Sequence, residues 1–420
     1  MNGYLLFILS VLLVGYLIDL VVALLNLRSL NPRLPDEFAG VFQPDQYVRS
    51  QEYTRVQTRF SLLQSTVSLV LTILFILVGG FHYIDLVARS FNLSSIGTGL
   101  LFTGLFGLLS AVLSLPFSVY STFVIEQRFG FNTTTVTTFV LDYGKGLLLA
   151  VLLGGPLLAA ILWFFEFAGT WAWLYCWAAV ATFIFVVQLL APVVIMPLFN
   201  KFIPLDEGDL NERITRYAAA QRFALQGIYT MDGSRRSTRA NAFFTGFGRF
   251  RRIVFFDTLM DRLNTDEIVA VLAHEMGHYK LRHIPVMMTL SIAQMGIMFF
   301  ILSLFLGNPG LFEAFRMEHL SIYASLVFFG FLYAPISTVL AIGLNLVSRR
   351  HEYQADRYAV ETGGAGSGGD ALIQGLKKLS VSNLSNLTPH PLHVFLHYSH
   401  PPIQARIGAL RRLGAAGSGS

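Results

Sequence analysis

The run YLLFILSVLLVGYLIDLVVALLN, residues 4–26, carries one charged side chain, Asp19. A helix needs about 20 mainly apolar residues to cross the hydrocarbon core of a bilayer, and this run has the length. It is too long for a secretory leader, and it lacks both a basic start and a small-residue cleavage site, so it reads as a retained span. Asp19 reads as facing other helices near a membrane boundary. Six further segments pass the same test, at approximately 61–83, 96–118, 146–167, 171–194, 286–307 and 322–346. Composition agrees: 54% of the chain is hydrophobic, 13% is charged and mean hydropathy is +0.58. The expected fold class is therefore mainly α, a polytopic membrane protein with about seven transmembrane helices.

Charge gives the orientation. With seven spans the loops alternate sides, and the first, third and fifth loops and the C-terminal tail hold 5, 2, 13 and 8 Lys plus Arg. The opposite side holds Arg89 and Arg316, out of thirty basic residues in all. The positive-inside rule then places the N-terminus outside and the long loop and tail in the cytoplasm. This asymmetry accounts for the net charge of +5, and no basic block with interleaved aromatics invites nucleic acid. The single cysteine, Cys176, excludes an intrachain disulfide and any Cys-based metal framework, so a metal must be held by His and carboxylates.

Five divisions follow: 1–194 with spans one to five, 195–285 as a first soluble part, 286–346 with spans six and seven, 347–413 as a second soluble part, and a disordered tail, 414–420. The two soluble parts lie on one side and form one small α+β domain. The first opens with an amphipathic stretch, Leu210 to Phe223, followed by strand-like runs at Gly227–Met231, Ala242–Phe247 and Ile253–Phe256. Asn264-Thr265-Asp266-Glu267 is a capping box, opening a helix that runs to about Leu281. Pro285 marks the junction with span six. In the tail, Gly363 to Gly369 reads as a flexible connector.

The capped helix contains His274-Glu275-Met276-Gly277-His278, an H-E-x-x-H pattern. The i, i+4 spacing puts two imidazoles on one helix face, able to grip one zinc, with Glu275 directed at the remaining position. A catalytic zinc takes three protein ligands and keeps one position for water. Position 284 is Ile284, so the longer pattern with a third His downstream fails and a carboxylate from elsewhere is needed. Glu352 and Asp356 lie just past span seven on the same cytoplasmic side and share a helix face. We read Glu352 as the third ligand, giving a gluzincin-like set, and Asp356 as the acceptor that fixes a ligating His. Eight of the ten histidines fall in 274–283 or 351–400. Of these, His283 and His351 read as basic surface residues, and His400 is the candidate donor to the developing oxyanion. No role is read for His390, His393 and His397.

These residues resemble a known family, the integral-membrane CAAX prenyl endopeptidases, zinc proteases of the yeast a-factor converting enzyme type. Besides the zinc motif and Glu352 to Asp356, the likeness rests on Phe42 to Tyr47 with Ser50 to Thr54, on Ile125-Glu126-Gln127-Arg128-Phe129-Gly130-Phe131-Asn132, and on Met196 to Phe202. It extends through Arg236 to Gly246 and Ser399 to Pro402. The resemblance implies seven helices around a large chamber inside the membrane, closed at its cytoplasmic end by the zinc domain. It also implies removal of the C-terminal tripeptide from a prenylated cysteine, with Asn241 and Ala242 on a strand that pairs with the substrate backbone. It carries Glu126 and Asn132 over by position, without a chemical role.

The expected activity is thus that of a zinc metalloendopeptidase with one Zn2+ per chain. His274, His278 and Glu352 hold the metal, Glu275 is the base and His400 assists. Its partners are a peptide or protein substrate, prenylated or similarly lipophilic, and membrane lipid; nucleic acid is not expected. The absence of a KDEL-type signal and the Arg-dominated charge point to a bacterial inner membrane, with the endoplasmic reticulum as the alternative. Two rival readings are a quality-control protease of membrane proteins and a transporter or receptor with a structural zinc.

Overall fold

The computed structural model describes residues 2–245, 252–363 and 368–417. The membrane half comprises α1 (Gly3–Arg28), α2 (Pro44–Leu77), α3 (Gly80–Ser90), α4 (Ser95–Glu126), α5 (Val136–Phe167) and α6 (Gly169–Phe199). A first soluble part follows, with β1 (Phe202–Pro204), α7 (Asp209–Ala220), β2 (Gly227–Met231), β3 (Ala242–Thr245), β4 (Arg252–Phe256), α8 (Asp257–Met260) and α9 (Thr265–Lys280). The chain continues through α10 (His283–Phe305), α11 (Pro309–Ala314), α12 (Ile322–Thr362), α13 (Gly368–Ser382), α14 (Pro391–His397) and α15 (Ile403–Gly417). Among the described residues seven of these, α1, α2, α4, α5, α6, α10 and α12, are long and apolar enough to cross a membrane. They overlap the seven expected segments.

Two spans differ from expectation in ways that matter for the site. The segment expected over 61–83 ends at Leu77, because Gly79 turns the chain at φ +78°, a conformation a side chain would strain. The residues beyond it form α3, which buries Phe81 and Asp85 against α11 and the start of α12. At its other end α2 begins at Pro44, and its polar first turns bury Tyr47, Ser50, Gln51 and Tyr53. The seventh span also outruns its apolar stretch. α12 continues without a break to Thr362, so Glu352 and Asp356 ride on the same rigid helix that crosses the membrane.

The soluble parts share one core. Phe38, Phe42 and Tyr47 from the first loop and α2 pack with Ile214 of α7, Ile253 and Phe255 of β4, and Leu272 and Met276 of α9. Ala359 of α12 and Leu372, Ile407 and Leu410 of the tail complete it. The sheet has the order β1-β2-β4-β3: β1 is antiparallel to β2, β2 parallel to β4, and β3 antiparallel to β4. Within the described residues β3 is an edge, bonded on one side only. β1 was not foreseen, since three residues ending in Pro204 carry too little pattern. Gly246 and Phe247, expected to finish β3, lie outside the described residues, as do Gly364 to Ser367 of the expected connector and Ser418 to Ser420 of the expected tail. Gly368 and Gly369 open α13, and residues 414–417 complete α15 rather than a disordered end.

Within the membrane the helices bury little of themselves. Only 6% of the most apolar window is buried in each of α2, α4 and α5, and 17% in α10 and α12. A solid bundle would bury one stripe of every helix. Low burial on all sides fits helices that face lipid outside and open space within, with the packed cores gathered toward the ends.

Candidate metal centre

The α9 helix begins as the sequence indicates. Asn264 accepts from the Glu267 amide and Glu267 reaches back to the Asn264 amide, both at 2.9 Å. The apolar face of the helix is buried in the soluble core, which leaves His274 and His278 facing α12. The two helices cross closely at Gly277. A Cβ there would sit 3.0 Å from the Ala355 Cα and 3.2 Å from its carbonyl oxygen, both backbone atoms that cannot swing aside. This is why a glycine stands between the two histidines, and it is what brings Glu352, three residues before Ala355, into reach. Gly277→Val is therefore expected to spread the crossing and weaken metal binding about 10–100-fold. Metal content after dialysis against graded free zinc measures it; unchanged affinity would show that the crossing does not set the site.

Three acceptors converge. His278 Nε2 lies 3.2 Å from both His274 Nε2 and Glu352 Oε1, and His274 Nε2 lies 3.5 Å from Glu352 Oε2. His274, His278 and Glu352 are the group among the described residues whose donor atoms fall within 4.8 Å of one another. Two imidazole nitrogens and a carboxylate so close, with Glu352 Oε2 buried and receiving no hydrogen bond, want a cation at their centre. Tetrahedral ligands about 2.0–2.2 Å from zinc stand about 3.3 Å apart, which matches the three spacings. The donor set fits a zinc-type ion.

Around this cluster each imidazole has a partner on its other nitrogen. His274 Nδ1 lies 2.9 Å from Asp356 Oδ1, the expected orienting contact. Burial and the neighbouring Arg406 pull the His274 pKa down, but the hydrogen bonds to Asp356 and Glu352 outweigh them and hold it above its ordinary value. His278 Nδ1 lies 3.1 Å from His283 Nδ1, whose other nitrogen is 3.0 Å from Gln354 Oε1. His283 is thus not a surface residue. It is 4% exposed and stacked on His351 with ring centroids 4.0 Å apart, because Arg282, at φ +60°, turns the chain and returns position 283 onto 278.

His400 reaches the rim. Its Nε2 is 3.3 Å from Glu352 Oε1 while its side chain remains 63% exposed, so it faces the mouth of the site and is free to touch a ligand. The other tail histidines stay away from the cluster. His390 caps α14 by accepting from the Leu392 amide, and His397 lies 3.7 Å from Asp19, which is therefore paired with the tail. Asn241 stands just before β3. Its carbonyl accepts from the Phe256 amide at 3.0 Å, so alternation turns the Ala242 and Phe244 backbone groups toward the free edge. The Asn241 side chain accepts from the Ala242 amide at 2.9 Å. A cavity of about 370 Å3 adjoins His278, walled by Ile184, Ile284, Met287, Met288 and Ile292.

Sequence reasoning missed Arg406. Its guanidinium is buried on α15, donates to Asp356 at 2.6 and 2.9 Å, and lies 3.2 Å from Glu352 Oε2. It neutralises two carboxylates that could not otherwise be buried together. One of three arginines on the tail helix gives no hint of this, since its partners are about fifty residues away.

Residues 23–201 match the family described as CAAX prenyl protease N-terminal, five membrane helices, and residues 204–413 match peptidase family M48. A CAAX prenyl protease 1 homolog of Arabidopsis thaliana is 37% identical over 415 residues, covering 94% of this chain and 96% of that protein. CAAX prenyl protease 1 of Saccharomyces cerevisiae is 35% identical over 417 residues, with 92% and 89% covered. The crystal structure of S. mikatae Ste24p superposes with a TM-score of 0.90 at 33% identity, over 98% of this chain and 99% of that one. The chain is thus a multi-pass membrane metalloendopeptidase rather than a transporter or receptor, and it belongs to the CAAX prenyl protease 1 family of M48 peptidases.

Proposed function

We propose that the protein removes the C-terminal tripeptide from prenylated or similarly lipophilic peptides, with one Zn2+ held by His274, His278 and Glu352. The observation that carries this reading is the convergence of those three donors beside Glu275 at the membrane face of the protease domain. The names of the relatives support the substrate class, and the apolar cavity against His278 supports a lipophilic one. When bound there, zinc would polarise the scissile carbonyl and lower the pKa of a bound water toward about 7.

The chain's own residues supply the rest. Asp356 and His283 fix the two imidazoles, each through its second nitrogen, so that the faces presented to the metal do not rotate. Phe244, and Ala242 through its carbonyl, turn backbone groups to the β3 edge, where an extended peptide adds as a further strand; the Ala242 amide is held by the Asn241 side chain. Glu275 takes the proton of the attacking water and returns it to the leaving amine. His400, exposed at the rim, donates to the oxygen on which charge develops. The basic loops favour the cytoplasmic face for this domain. The relatives named above are eukaryotic, which weighs toward the endoplasmic reticulum over a bacterial inner membrane.

The test is cleavage by purified protein in detergent of a farnesylated CAAX peptide and its unprenylated counterpart. The farnesylated peptide is expected to be cut at the cysteine with at least tenfold higher kcat/KM, and a chelator to abolish cleavage until zinc is restored. Equal cleavage of both peptides would favour the quality-control reading instead, and activity indifferent to chelator would remove the metal from the chemistry.

A further inference from the structure

The segment Ile125 to Asn132 has no part in the metal centre, yet it is built into the approach to β3. Glu126 ends a π-helical turn at the cytoplasmic end of α4. Its carboxylate accepts from Tyr53 Oη at 2.6 Å and Gln57 Nε2 at 2.8 Å, both on α2, and from Arg239 Nη2 at 3.0 Å. Gly130 turns the chain at φ +76°, and residues 130–134 then run beside 234–238. The Thr238 amide donates to the Phe131 carbonyl at 3.1 Å, Asn132 bridges Ser237, and the hydroxyls of Thr133, Thr134 and Thr238 close onto backbone carbonyls at 2.7, 3.1 and 2.9 Å. Arg236 is consumed by Asp142, which it grips at 2.7 and 3.0 Å, and by the Phe199 carbonyl at 2.7 Å.

Arg239 is different. Its guanidinium lies 4.4 Å from the centroid of the Phe131 ring and 5.5 Å from that of Tyr53, and its backbone carbonyl is held by Thr258 Oγ1 at 2.7 Å. The group is therefore immobilised, but 40% of the side chain remains exposed. The guanidinium's hydrogen bonds within the described residues, to Glu126 and to Tyr53, all leave from Nη2. Nε and Nη1 make no hydrogen bond among the described residues. That pair of donors is the edge with which a guanidinium grips a carboxylate in bidentate fashion.

Its place along the chain gives that edge a purpose. A peptide added to the free edge of β3 in the antiparallel sense, the more stable one, runs its C-terminal half back past Asn241 and Ala240. If the residue before the cleaved bond lies opposite Ala242, the three residues that leave lie opposite 241, 240 and 239. At about 3.3 Å per residue the terminal carboxylate falls about 10 Å from Ala242, beside Arg239. We propose that Arg239 is the receptor for the substrate's C-terminal carboxylate, and that Glu126 and Tyr53 are positioning residues that aim its free Nε–Nη1 edge. The arrangement measures three residues from the cleaved bond to the end of the chain. This inference rests on the tripeptide-releasing activity proposed above.

The experiment compares three farnesylated peptides on the zinc-loaded wild-type protein: one with a free C-terminal carboxylate, one with a C-terminal amide, and one lengthened by a residue after the tripeptide. The amide and the longer peptide are each expected to lose about tenfold or more, chiefly in KM, as a charge-assisted hydrogen bond to the carboxylate is lost. Arg239→Gln is expected to process the free acid as poorly as the amide, so that the acid-to-amide ratio falls to about one while zinc content stays at the wild-type value. Glu126→Gln, which loosens the guanidinium but leaves its charge, should narrow the acid-to-amide ratio without erasing it. Equal cleavage of acid and amide by the wild-type protein overturns the assignment without any variant, as does an Arg239→Gln protein that keeps the full ratio. A wild-type protein that cuts none of the three peptides instead refutes the activity itself, so the two failures are distinguishable.

Discussion

Glu275→Gln protein is expected to keep its metal and its affinity for peptide while kcat falls about 10²–10⁴-fold. Glu275 follows His274 on α9 and is half-buried. Its carboxylate takes no hydrogen bond among the described residues and lies outside the group of donors that would hold the ion. It is therefore the one acid at the site with a free oxygen pair, and its charge is felt at the neighbouring Arg406 guanidinium. Glutamine preserves the volume of the side chain and removes the capacity to accept a proton. The measurement is single-turnover cleavage of the farnesylated peptide alongside zinc content and KM. A variant that loses zinc together with activity would make Glu275 a support of the metal rather than a base. One that retains wild-type kcat would remove it from the mechanism.

How far the fold and site were legible depends on the range over which each signal acts. The membrane spans are visible because the bilayer imposes its test within one segment, about 20 residues at a time. The HExxH helix is visible because its cap, Asn264, stands directly before the sixteen residues Thr265–Lys280 that hold its apolar face and its two candidate ligands. Glu352 required more: span number, loop charge and side of the membrane had to agree before α9 and the end of α12, separated in the chain by two membrane crossings, could be brought together. His283 was misread because its burial follows from one left-handed residue, Arg282, and non-glycine residues carry no sequence mark of that conformation. Glu126 was visible as part of a motif but not as a function. Its partners, Tyr53 and Gln57 of α2 and the distant Arg239, come from two segments that only the folded chain brings to it. Short-range order reads out of local pattern, whereas electrostatic partners of buried groups are chosen by the fold.

Arg406 is the clearest such partner, and its loss is expected to cost more stability than that of any other residue around the metal. In Arg406→Met the side chain keeps an unbranched apolar stem, but Asp356 and Glu352 lose the guanidinium that lies 2.6 and 3.2 Å from them. Removing one member of a buried ion group leaves uncompensated charge and costs about 3–5 kcal/mol. That cost should depend on zinc. In the metal-free protein the two carboxylates are then left with imidazoles alone as compensation, His274 beside both and His278 and His400 beside Glu352 Oε1. With zinc bound, a dication stands beside Glu352 and restores most of the lost field, so the variant's deficit shrinks. The metal-free variant should accordingly unfold at clearly lower denaturant than the metal-free wild type, and added zinc should stabilise the variant by more than it stabilises the wild type. Denaturant midpoints in detergent, with chelator and with zinc, give the four values needed. If zinc stabilised both proteins equally, Arg406 would be acting through packing alone; if the metal-free deficit were absent, the two carboxylates would have to share a proton in the native state, and Arg406 would not be what keeps them ionised.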